Sequence, residues 1–215
     1  MVFGNHLKES MQDTLMKADG VAVIFIGIAG ALSKMLVIKG GTIDTTGTMM
    51  MSLGAIVGEM LDLDGKMIHF GEWLKIKTGN AKDKKFVDGF VTASLTVCIG
   101  AMAVVGSIED GIHADHSILF AKAILDFVII LVMSATLGKG CLFSFVPVGL
   151  FQGTITLLSS LISPFITASA MSALSYIGSI LIFCVGVNLV FNTKIRVANL
   201  LPALIVACIC TVFPL

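Results

Sequence analysis

Seven mostly apolar runs, each near twenty residues long, follow one another along this chain, at 20–38, 46–63, 86–108, 117–137, 141–163, 168–191 and 197–213. A helix needs about 20 such residues to cross the ~30 Å hydrocarbon layer of a bilayer. Backbone groups in lipid find no water, so each spanning segment must close its own hydrogen bonds as a helix. Pro164, the Asn192–Lys194 tripeptide and the Gly138–Gly140 "GKG" interrupt the runs where loops are needed. Composition agrees: 56% of the 215 residues are hydrophobic and 13% are charged, about half the charged fraction of a soluble domain. Mean hydropathy is +1.00. The expected class is an all-α, polytopic integral membrane bundle of about seven transmembrane helices, forming a single domain over 1–215.

Lys+Arg and Asp+Glu both number 14, so net charge points to no nucleic-acid or acidic partner. The distribution is more informative. Alternating the loops places Lys8, Lys17, Lys66, Lys75, Lys77, Lys82, Lys84, Lys85, Lys139, Lys194 and Arg196 on one side, and only Lys34 and Lys39 on the other. The positive-inside rule makes the lysine-rich side cytoplasmic in a bacterial inner membrane and puts the 109–116 loop outside. The N-terminus has no apolar run ahead of its charges and is not a signal peptide. Cys98, Cys141, Cys184, Cys208 and Cys210 lie in or beside apolar segments without a C-x-x-C spacing, which suits buried thiols rather than disulfides. The cytoplasmic 65–85 loop mixes Met67, Ile68, Trp73, Leu74 and Ile76 with Lys66, Lys75 and Lys77. That mixture predicts a short amphipathic helix at the inner leaflet.

Against this apolar background the polar residues stand out. Lys122 and Asp126 are four apart in the fourth run, so they share one helix face. Asp126 is about nine residues from the run's start, ~14 Å deep and near the bilayer centre. A charge there costs roughly 2.5–3.5 kcal/mol on insertion scales. Two roles fit: a cation or proton site on a solute path, or an ion pair that locks the helix to its neighbours. Gln152, between Gly149 and Gly153 and after Pro147, lies at similar depth, as do Thr92 and Thr96 around a kink expected at Gly100. Asn188, Asn199 and Glu59 complete the path residues. Most intramembrane hydroxyls bond their own helix, whereas amides and carboxylates need several partners. Glu109 and Asp110 are expected at the outer mouth, and His113, Asp115 and His116 form a metal-ligand-type composition in the same loop. H-E-x-x-H, G-x-S-x-G and phosphate-binding glycine loops are absent from the sequence, which gives no support to a standard membrane hydrolase or NTPase.

The ordered stretches "DGFVTASLTVCIGAMAVVGSIEDG", "AKAILDF", "FQGTITLL" and "IRVANLLPAL" resemble the YdfK/YqgA family of bacterial inner-membrane proteins, the domain of unknown function 554. The resemblance runs over nearly the whole chain. It implies a polytopic helical fold, with one further hydrophobic helix ahead of a segment like "FGNHLKESMQDTLM", and it supplies no substrate. Its pattern places Glu109, Asp110, Lys122, Asp126, Gln152 and Asn199 at matching positions. Ala101 stands where members often have proline, leaving the kink to Gly100.

"GVAVIFIGIAGAL" at 20–32 and "GSILIFCVGVNLV" at 178–190 share an apolar pattern in runs of opposite direction. Inverted repeats with discontinuous helices mark many secondary transporters. The expected function is therefore a small-solute or ion transporter or channel with a polar site near the bilayer midplane. It is expected to act without enzymatic activity or cofactor, in contact with lipid and as a homodimer. A non-transporting scaffold or regulatory subunit, and a metal-dependent membrane enzyme, are the alternatives.

Overall fold

The computed structural model describes residues 9–36, 46–99, 101–165 and 167–212. They form ten helices with no strand among them: α1 (Glu9–Met35), α2 (Thr46–Leu61), α3 (Leu63–Lys77), α4 (Phe86–Cys98), α5 (Ala101–His113), α6 (Ser117–Leu137), α7 (Phe145–Leu157), α8 (Ser159–Ile162), α9 (Ala168–Phe191) and α10 (Pro202–Val212). Short 3-10 turns at Lys139–Ser144, Ser163–Phe165 and Val197–Leu200 lead into or out of them.

All seven apolar runs are helical, but they are not seven long helices. Four described segments are long and apolar enough to cross a bilayer: Asp13–Met35, Ser117–Leu137, Lys139–Leu157 and Ala168–Phe191. A fifth appears if α4 and α5, bent by 62° at their junction, are one broken span. α2, at 16 residues, and α10, at 11, fall short of the roughly 20 residues that set the expectation of seven. The first helix begins at Glu9, well ahead of its apolar run, because "ESMQDTLMKAD" is rich in helix formers. The third run splits at residues 99–101, where Ile99 adopts an extended ψ of 108°; Gly100, the expected kink, lies outside the described residues. The fifth run opens as a 3-10 turn, so Pro147 falls in the first turn of α7, where its missing N–H removes no helical bond.

The frame rests on two antiparallel pairs. α1 and α9 share the most extensive contact among the described elements. Gly20 meets Leu189 and Val190, Gly27 meets Phe183, Gly30 meets Ser179, and Gly186 meets Ile24. The two similar apolar stretches of the sequence thus lie against each other, head to tail. α2 pairs with the last helical segment in the same sense, Gly54 against Ala203 and Gly58 against Asn199. The main core, built on Ile177, Leu181, Val185, Ala198, Ala203 and Ala207, lies between these pairs.

The two interrupted runs pack alongside in parallel: Gly89 touches Leu137 and Cys141 near one end, and Gly111 touches Thr156 and Ser159 near the other. Gly140 sits directly on the Phe86 and Phe90 backbone. The 65–85 segment does hold a helix, α3, which runs from Leu63 to Lys77. It turns its Gly71 and Leu74 onto Phe86 and Phe90 of α4 and leaves Trp73 and Ile76 exposed.

Candidate functional site

α6 brings Lys122 and Asp126 to the flank of the broken α4–α5 segment. The four-residue spacing stacks the two side chains, and they form an ion pair. Lys122 is 6% exposed. Its ammonium also donates to the Val97 carbonyl oxygen at 2.8 Å. Val97 is the penultimate residue of α4, and the last carbonyls of a helix lack intrahelical partners. The ammonium therefore closes the cut end of α4 as well as neutralising Asp126.

Both charges open into a cavity of about 270 Å³, a groove open along one side, between α4, α6, the 139–144 turn and α7. Apolar side chains supply most of its wall. Gln152 and Ser144 add an amide and a hydroxyl. Ser144 is 3% exposed, yet it does not cap α7. Neither its hydroxyl nor the Gln152 amide pairs with another described residue, so these groups remain available to a solute. Ser144 was not legible in advance, since a serine at the start of an apolar run reads as an ordinary cap. The Val97 carbonyl carries no side-chain signal at all; only the kink expected at Gly100 points that way.

The other expected path residues lie elsewhere. Thr92 and Thr96 face each other along α4, and the Thr96 hydroxyl donates to the Thr92 carbonyl at 2.8 Å, a back-bond within one helix. Asn188 clasps the loop after α9: its amide donates to Ile195 O at 2.8 Å, and its oxygen accepts from Ile195 N at 3.0 Å and from the Thr193 hydroxyl at 2.7 Å. Asn199, 2% exposed, donates to Glu59 at 2.6 Å and accepts from Asp64 N at 2.7 Å. Arg196 reaches the other Glu59 oxygen at 2.7 Å.

Arg196 and Asp64 also line a second, half-open pocket of about 460 Å³, together with Asp62, Asp88 and Lys194. Burial raises the Asp64 pKa; the nearby Arg196 opposes the shift, and Asp62 and Glu59 add to it. The three aspartates drew no attention in the sequence because acids beside lysines at a helix end read as a solvated face.

The expected 109–116 loop is mostly helix: α5 runs to His113 and leaves only residues 114–116 as the connection. His113 pairs with Glu109 one turn back at 2.7 Å, and His116 with Asp110. Asp115 accepts from Ser117 N at 2.9 Å and caps the start of α6. These bonds hold the Asp115 carboxyl below its usual range. The loop's acids and histidines are thus consumed pairwise, and among the described residues no group of three or more Cys, His, Asp or Glu could hold a metal ion.

Long apolar helices, glycine-to-backbone seams and a charged pair at a helix break define a polytopic α-helical membrane protein. The chain belongs to the family described as "Protein of unknown function (DUF554)", whose model matches residues 1–212. It is 26% identical over 206 residues to "Uncharacterized membrane protein YdfK" of Bacillus subtilis, covering 95% of this chain and 85% of that one. It is likewise 26% identical over 210 residues to "Uncharacterized protein YqgA" of Escherichia coli, covering 96% and 86%. No solved structure matches.

Proposed function

We propose that this protein is a small-solute or ion transporter or channel of the bacterial inner membrane, with the Lys122/Asp126 cavity as its solute site. One observation carries the reading. An intramembrane ion pair, bonded to the carbonyl end of an interrupted helix, opens into a cavity that also holds an unpaired amide and hydroxyl. Charges in membrane helices are costly and mark ion or substrate pathways by default. Interrupted helices whose cut ends face a midplane site are the usual way transporters build one. In this reading Asp126 and Lys122 set the site's charge, and Gln152 and Ser144 bind the solute. The lysine-rich α3 lies on the cytoplasmic leaflet with Trp73 at headgroup depth, and the 109–116 loop faces outward. The Glu59–Asn199–Arg196 cluster ties α2 to the loop after α9 at the cytoplasmic end.

Solid-supported-membrane electrometry on proteoliposomes tests this, using a panel of cations, amino acids and small organic acids. A solute-dependent current in wild type, lost in Gln152→Ala and Asp126→Asn while both variants remain folded, is expected. Unaltered transport in both variants would reject the cavity as the site; absence of uptake in radiotracer assays as well would reject transport.

A further inference from the structure

The ammonium of Lys122 does more than an intrahelical ion pair requires. Pairing with Asp126 on the next turn would satisfy both charges. The side chain also crosses to α4 and donates a hydrogen bond to the Val97 carbonyl oxygen, at 2.8 Å. That carbonyl belongs to the negative end of the α4 dipole, which carries roughly half an elementary charge. A carboxylate and a helix-end carbonyl, converging from two elements beside a break, are the hard oxygen ligands that hold monovalent cations in transporters with interrupted helices. In this chain the position is filled by a primary ammonium tethered to α6.

We propose that Lys122 is a built-in cation occupying a monovalent-cation position formed by the Val97 carbonyl and Asp126, so that the cavity is charge-balanced without a bound alkali ion. This rests on the cavity read above as the solute site, but concerns what occupies its ion position rather than whether solute moves. An ammonium and a sodium or potassium ion carry the same charge and seek the same oxygens. Removing the tethered ammonium leaves those oxygens in place and opens the position to a free cation.

The test is binding, not transport. Purified wild type, Lys122→Ala and Lys122→Ala/Asp126→Asn are unfolded thermally in LiCl, NaCl, KCl, methylammonium chloride and N-methylglucamine chloride at equal ionic strength, with a thiol-reactive dye reporting the free cysteines. Wild type is expected to melt at one temperature in all five salts. Lys122→Ala is expected to melt lower in N-methylglucamine and to regain a few degrees, saturably, in at least one small cation. The double variant is expected to show no such recovery. If Lys122→Ala is recovered folded only when a small cation is present during purification, that dependence is the same result. A Lys122→Ala protein that responds equally to all five salts, or that no salt recovers, overturns the proposal, as does a saturable alkali-ion response in wild type. A cation-rescued Lys122→Ala alongside a protein that moves nothing would retire the transport reading and keep this one. A solute current alongside an unresponsive Lys122→Ala would do the reverse.

Discussion

A methyl group added to Gly27 of α1 would lie 2.6 Å from the backbone nitrogen of Phe183 in α9. The two helices touch backbone to backbone here, and the same holds at Gly186, which meets the Ile24 nitrogen and the Gly20 carbonyl. Close approach through small residues is how membrane helices associate where lipid gives no hydrophobic drive between them. Gly27→Ala is expected to destabilise by about 1–3 kcal/mol, since backbone cannot move aside as a flexible side chain can. Unfolding in mixed SDS–detergent micelles measures it. Ala29→Gly, which adds no bulk to the same helix, serves as the control and should change stability by no more than about 1 kcal/mol.

The Lys122–Asp126 pair makes a prediction about asymmetry. Lys122→Met leaves a carboxylate and a helix-end carbonyl unpaired, and breaking a buried pair from one side costs roughly 3–5 kcal/mol. Asp126→Asn leaves the ammonium its bond to Val97 and an amide oxygen to accept another, so it should cost less. The double variant Lys122→Met/Asp126→Leu should recover most of the loss. A double-mutant cycle by thermal unfolding gives the coupling; additive effects would show that the two side chains do not depend on each other.

Asn199 is buried with Glu59 at 2.6 Å. Asn199→Ala removes both of its bonds and orphans the Asp64 N–H, a loss of about 1–3 kcal/mol. Asn199→Asp keeps the acceptor but sets a second carboxylate against Glu59, so at pH 7 it should be the worse of the two. The order of the two variants by limited proteolysis checks this.

Asp115 gives a pH dependence of known sign. Its carboxyl is held below the ordinary value of 3.8, first by its hydrogen bonds to Ser117. The folded state therefore prefers the ionised form more than the unfolded state does. Its contribution is present above pH ~4 and is lost as pH falls through the lower folded value. Asp115→Ala should melt below wild type at pH 7, and the difference should shrink as the pH is taken below about 3.5.

α6 and α9 were legible to the residue because each is a single apolar run with a clear stop: Gly138 with a φ of 89° after one, Asn192 in the left-handed region after the other. The third run was legible as a membrane segment with a kink near Gly100, whereas the 3-10 opening of the fifth was not legible, since hydropathy sums over such a change. Lys122, Asp126 and Gln152 announced themselves as polar groups in apolar surroundings, and the structure gathers those three around one cavity. Asn188, Asn199 and Glu59 gave the same signal for a different cause. The two amides bond loop and helix-start backbone, and Glu59 pairs with the Asn199 and Arg196 side chains; sequence does not distinguish an amide that binds a solute from one that holds a turn. What completes the first site, a main-chain oxygen and a serine at a helix start, has no compositional signature.

The α1–α9 seam also has a consequence for biosynthesis. Gly27 and Phe183 are separated by more than two-thirds of the chain, and at roughly 5–20 residues per second the ribosome needs about 8–30 s to cover that interval. For that time α1 sits in the bilayer with its glycine face uncovered, its partner not yet made. Assembly of the frame is thus a late event that closes over segments inserted in between. A mutation on that glycine face acts first on a nascent intermediate, where it governs the yield of folded protein before it governs the stability of what has folded.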